Sequence, residues 1–188
     1  SGAMNLGLIC RMEGTRGIGI QSFEMAQHLD PARVLLVDVG AHEQYPNDLK
    51  DQYPNATVVE MAPDGTLPER AVRRWINGLG VIAFVETPYD WRLCTWAREQ
   101  GVRTVNHQNP EFYRHGNHRL PYPDAWWAPT TWRLNHLPPS TVHVPVPVAL
   151  ERFKAPSTRA RRSGPVRFLH PVGKFAMYDR AGTETFVR

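Results

Sequence analysis

Polar side chains that close strand-type runs are the first places to look for chemistry in this chain. His107 follows the run Val102–Asn106, with Gln108 and Asn109 directly after it. Glu86, Thr87 and Tyr89 follow the run Val81–Val85. An imidazole can donate a hydrogen bond to a sugar hydroxyl or a phosphate, and a carboxylate can accept from hydroxyls or take up a proton. His107 and Glu86 are therefore the catalytic candidates, and Tyr89 and Asn109 candidates for holding a ligand. Position alone leaves two plainer alternatives open. His107 could be a histidine satisfied by nearby backbone, and Glu86 a capping or ion-pair carboxylate. A third feature is the glycine-rich stretch Gly14-Thr15-Arg16-Gly17-Ile18-Gly19. Glycine lets the backbone approach a ligand closely, and a helix opening there offers amides to an anion. Gly17 and Gly19 are the phosphate-binding candidates. The spacing is G-x-x-G-x-G, which differs from the dinucleotide fingerprint G-x-G-x-x-G. Asp38, after the run Val34–Val37, could bind a ribose or simply open a loop. His107, His115 and His118 lack the spacing of a metal site, so no metal is expected. Trp126, Trp127 and Trp132 could stack a sugar or a base, and core packing is the commoner use of such residues.

These residues acquire a common address from the elements around them. Leu6–Cys10, Arg33–Val39, Ala56–Met61, Val81–Val85, Val102–Asn106 and Ala125–Ala128 read as strands. The second and fourth are apolar without alternation, as in strands buried on both faces. Between them, Ile20, Phe23, Ala26 and Leu29 recur at helical spacing, and Asp30-Pro31 closes that helix. Val72, Trp75, Ile76 and Leu79 form a second such set behind Pro68, and a further helix runs from Asp90 to Gly101. A short helix is expected from Thr130 or Thr131 to Leu137. Pro145 and Pro147 restrict Thr141–Val148 to an edge strand or extended linker. Strands alternating with helices predict an α/β fold, a Rossmann-like parallel sheet with helices on both faces. Ligands of such sheets bind at the carboxyl ends of the strands, where the glycine loop, Asp38, Glu86, Tyr89, His107 and Asn109 fall.

Composition bounds the rest. Of 188 residues, 41% are hydrophobic and 21% charged, which suits a globular domain. No apolar run reaches the roughly 20 residues of a membrane span. Cys10 and Cys94 fall in core runs and read as buried thiols of a cytoplasmic protein. Ser1, Gly2 and Ala3 ahead of Met4 look like the remnant of a cleaved tag. The formal charge of +4 suits an anionic ligand. The expected organisation is a Rossmann-like domain over 4–148, a basic linker over 149–164, and the opening strand and helix start of a second domain over 165–188. That orphan strand invites docking with a second copy, so a homo-oligomer is a further expectation.

Several stretches together resemble the retaining GT-B glycosyltransferases of the family 4 type. Arg16-Gly-Ile-Gly19 followed by Ser22–Leu29 is similar to that family's glycine loop and first helix. The strand closing in His107 is similar to its strand with a sugar-contacting histidine. Val144-Pro-Val-Pro-Val148 with Glu151-Arg-Phe153 resembles the segment joining its domains, without the usual asparagine-glycine. Phe168–Lys174, Asp179-Arg180 and Gly182–Phe186 resemble the opening of its donor domain. The resemblance implies sugar transfer from a nucleotide-sugar to an acceptor, which could be a small molecule, lipid, protein or modified nucleic acid. It implies that Lys174 and Arg180 grip the donor diphosphate, that no metal or cofactor is required, and that the acceptor lies mainly on the N-terminal domain. The family's donor-domain glutamate pair is not among these residues, so the stretch alone is expected to be inactive. Two other classes stay open. A nicotinamide-dependent oxidoreductase would use the glycine loop and Asp38, and a non-enzymatic module for nucleic acid would use the basic charge.

Overall fold

The computed structural model describes residues 5–12, 17–40, 49–85, 89–110, 113 and 122–148. The chain divides after Leu150, and residues 149–188 lie outside the described ones. So, among the site candidates, do Glu86, Lys174 and Arg180.

Seven strands form one sheet: β1 (Leu6–Arg11), β2 (Arg33–Asp38), β3 (Thr57–Glu60), β4 (Val81–Val85), β5 (Arg103–His107), β6 (Ala125–Ala128) and β7 (Val142–His143). Every pair is parallel. The order is β3-β2-β1-β4-β5-β6-β7. This is a Rossmann-like α/β fold. The order reverses between β1 and β4, and sheets of this kind bind ligands outside the carboxyl ends of the strands at such a reversal. Four helices are described: α1 (Gly17–Leu29), α2 (Leu49–Gln52), α3 (Glu69–Ile76) and α4 (Arg92–Glu99).

Alternation along the strands divides the core into two halves. Ile9, Leu35, Val37, Ile82 and Phe84 face α3 and α4, where Val72, Trp75, Ile76, Leu93 and Trp96 meet them. Leu8, Cys10, Leu36, Ala83 and Val85 face the other way, onto Met25 and Ala26 of α1 and Leu49 of α2. Each large side chain so buried contributes about 1.5–3 kcal/mol. Both thiols are free and buried. Helix ends are closed by specific groups. The Arg33 guanidinium donates to Trp75 O at 2.7 Å and Asn77 O at 2.8 Å, beyond the last turn of α3, where a cation meets the negative end of the helix dipole. The Asp90 carboxylate accepts from the backbone amides of Arg92 at 3.1 Å and Leu67 at 3.1 Å. It thus opens α4 and ties it to the loop ahead of α3. Its neighbour Arg92 also holds it by side-chain bonds.

Three expectations need correction. The apolar set on α1 does not define its buried face. Ile20 is 53% exposed, whereas Gln21, Ser22 and Glu24 are buried. The segment after Thr131 is a single 3-10 turn at Leu134–His136 and not an α-helix. Arg133 takes φ 54° there, which an α-helix cannot include. The third concerns Trp132, which is 55% exposed and outside the core. The extended reading of Thr141–Val148 resolves into a two-residue edge strand, β7, with the prolines beyond it.

Candidate functional site

The carboxyl end of β5 carries a buried polar group on each face of the sheet. His107 lies on the α1 side, and its register partners are Val85 of β4 and Trp127 of β6. Its side chain is fully buried. Nε2 stands 2.9 Å from the carbonyl of Val144. A carbonyl only accepts, so Nε2 carries the proton. Nδ1 stands 2.7 Å from the Gln21 side-chain nitrogen, so Nδ1 accepts and the ring is neutral. Burial pushes the imidazole below its ordinary value of 6.5, and the Val144 bond offsets part of that shift. Gln21 Oε1 in turn accepts from Asn109 Nδ2 at 3.4 Å. One chain of bonds therefore runs Asn109–Gln21–His107–Val144, joining the end of β5, the first turns of α1 and the segment after β7.

On the opposite face, Asn106 and Gln108 are both fully buried. Asn106 Nδ2 donates to Gln108 Oε1 at 3.0 Å, and Gln108 Nε2 donates to Asn109 O at 3.1 Å. Asn106 Oδ1 is buried without a hydrogen-bond partner. Buried amides without full satisfaction are costly, which sets this strand end apart from β4, which closes on the apolar Val85.

The remaining candidates follow the carboxyl ends of other strands, β1, β4 and β2. α1 begins at Gly17, which is exposed with nothing within 4 Å of where a Cβ would stand. Gly19 is buried. The exposed start of a 13-residue helix presents amide N–H groups and the positive end of a dipole, which favours an anion. Tyr89 is half-buried and packs against the α3/α4 half of the core. Asp38 closes β2, and its carboxylate accepts from Gly40 N at 2.8 Å. Among the described residues, no group of His, Cys, Asp and Glu side chains could hold a metal ion. His115 and His118 lie outside them.

Sequence reasoning found the strand end but missed Gln21, the residue that links it to α1. The available signal was its place one helical turn before Met25 on a short helix whose apolar residues do not form a single stripe. Cavities among the described residues lie elsewhere. One of about 480 Å³ sits at the amino ends of β2 and β3, lined by Arg33, Tyr53 and Trp75 among others. Another of about 300 Å³ lies between Tyr113, Tyr122, Trp126 and Leu137-Pro138-Pro139. No family model matches the chain, and no curated protein matches it significantly. Among the described residues, no helix is long and apolar enough to cross a membrane.

Proposed function

We propose that this chain is the acceptor-side part of a GT-B glycosyltransferase, transferring a sugar from a nucleotide-sugar to an acceptor. The observation that carries the reading is the bond chain Asn109–Gln21–His107–Val144. It fixes a glycine-led helix against the strand end beside the switch point and holds the segment that leads toward Glu151. In this reading Gly17 leaves room for phosphate or acceptor at the helix start, and Tyr89 and Asn109 flank the acceptor. His107 sets the position of α1 through Gln21. Both its ring nitrogens are engaged by protein, so its contact with a sugar would require one of those bonds to be exchanged. Glu86 keeps the role its place after β4 suggests, accepting hydroxyls or serving as a base, and Lys174 and Arg180 the one that the family resemblance implies, as diphosphate-binding cations.

A second reading rests on Asp38. It ends β2 in a sheet with the order used by dinucleotide-binding folds, where an acidic residue meets the ribose of a nicotinamide cofactor. A melting-temperature panel separates the two, since a ligand that binds only the folded chain raises Tm. UDP-, GDP- and ADP-sugars are compared with NADH and NADPH. Stabilisation by a nucleotide-sugar supports the transferase. Stabilisation by NADH or NADPH alone replaces it with the oxidoreductase.

A further inference from the structure

We propose that Trp132 and Arg133 form a binding platform for a phosphorylated sugar ring. The glycosyltransferase reading supplies its role, an acceptor subsite, although the binding itself does not depend on that reading.

The two residues follow β6 at the carboxyl edge of the sheet, the edge where α/β ligands bind. Trp132 is 55% exposed. The Arg133 guanidinium carbon lies 4.4 Å from the centroid of the Trp132 ring, a cation–π stack. Trp96, by contrast, is buried beneath Arg92 and Arg73. Those two arginines are committed to carboxylates, Asp90 and the pair Glu69 and Glu99. Arg133 has no hydrogen bond or ion pair from its guanidinium to a described residue. Its planar fork of donors is therefore presented, oriented by the indole, and uncommitted. A phosphate matches such a fork in a bidentate manner.

The backbone holds this arrangement at a cost. Arg133 takes φ 54°, a conformation that glycine adopts freely and arginine does not. The turn is pinned on both sides. Trp132 N donates to Thr130 Oγ1 at 3.1 Å, Leu134 N to Thr131 O at 3.2 Å, and His136 N to Arg133 O at 2.9 Å. Strain retained at a pinned, exposed position implies a use for the side chain. Trp132 offers a face to a sugar or aromatic ring, and Arg133 offers charge at that ring's edge. Together they select a ligand that carries both a ring and an anion.

The test uses glucose 6-phosphate as the ring with an anion, glucose as the ring alone, and inorganic phosphate as the anion alone. Binding is read from tryptophan fluorescence as the difference between the parent chain and Trp132→Phe. The expected result is a saturable change with glucose 6-phosphate, at least tenfold weaker with either control. Arg133→Gly should weaken it at least tenfold while melting no lower than the parent, because glycine relieves the strained φ. No Trp132-dependent change with glucose 6-phosphate, or equal affinity for inorganic phosphate, overturns the platform. So does Arg133→Gly retaining parent affinity. The nucleotide-sugar panel is run in parallel on parent and Arg133→Gly. A nucleotide-sugar shift in both, with no glucose 6-phosphate binding, removes the platform and leaves the transferase. Glucose 6-phosphate binding without any nucleotide-sugar shift does the reverse.

Discussion

At the scale of single residues, His107 is the most informative side chain. It is neutral, fully buried and bonded at both ring nitrogens. His107→Ala removes both bonds and leaves the Gln21 amide and the Val144 carbonyl without it, a loss of about 2–4 kcal/mol. Chemical denaturation of the variant checks that figure. The pH dependence has a definite sign. The folded imidazole titrates below 6.5, so near pH 6 the unfolded chain holds more protons than the folded one. The histidine's contribution is complete above 6.5 and is lost as pH falls through the lower folded value. His107→Gln should therefore flatten the decline in Tm between about pH 7 and pH 5. An unchanged slope means that the decline belongs to other groups. The two thiols act at the other end of the scale. Burial pushes Cys10 and Cys94 up to about 12 each, from 9.0. Their stabilising contribution is full below pH 9 and is lost as pH rises toward 12. Native protein at pH 8 should resist alkylation by iodoacetamide, and both thiols should react once denaturant is added. Rapid modification of native Cys94 contradicts its burial.

At the scale of elements, two glycines make opposite predictions. A Cβ on Gly7 in β1 would stand 2.5 Å from Leu79 Cδ1 and 2.7 Å from the Trp75 ring. Gly7→Ala should cost about 1–3 kcal/mol by overpacking, read as a lower denaturation midpoint. Gly17 has open space where its Cβ would go. Gly17→Ala should leave stability unchanged or raise it by about 0.4–1 kcal/mol through the unfolded chain. If this glycine serves close ligand approach, the same variant loses the Tm rise given by its ligand. A variant that is both stable and fully responsive shows that Gly17 only opens a helix. These elements differ in how far they were legible. β2 and β4 were plain because strands buried on both faces read as unbroken apolar runs, and α3 because its apolar residues share one stripe. α1 was legible in extent but not in orientation. Its buried face carries Gln21, Ser22 and Glu24, and hydrophobic periodicity has no signal for polar residues buried in order to bond. Ser22 returns its hydroxyl to Ile18 O at 2.8 Å, a bond that lets a polar residue sit in a helix interior. The turn at Arg133 was illegible for a related reason. An arginine at φ 54° follows no turn preference, and the threonines before it read equally well as helix caps.

For the whole molecule, the question is which end of the sheet takes the ligand. The cavity of about 480 Å³ lies at the amino ends of β2 and β3. Its wall includes Trp75, near the carboxyl end of α3, where Arg33 already neutralises the helix terminus through Trp75 O and Asn77 O. Tyr53 on the same wall is engaged by Gln27 at 2.9 Å. Arg33 and Tyr53 at that end are thus committed to structure, and none of the described helices starts there. The carboxyl end has the opposite polarity, with the exposed N-terminus of α1 at Gly17. Net charge does not decide the matter. Arg73, Arg92 and Arg98 are each within ion-pair distance of a carboxylate, so part of the described positive charge is locally balanced. A ligand bearing phosphate should therefore follow the helix dipole and not the larger void. Hydrogen exchange with the stabilising nucleotide from the Tm panel tests this across the whole sheet. Amides of Gly17–Gln21 and His107–Asn109 should exchange more slowly when it binds, while those of Ala32–Val34 and Asn55–Thr57 stay unchanged. Protection confined to the second set would move the site to the amino-end cavity, and the transferase and oxidoreductase readings would fall together, because both place phosphate at the start of α1.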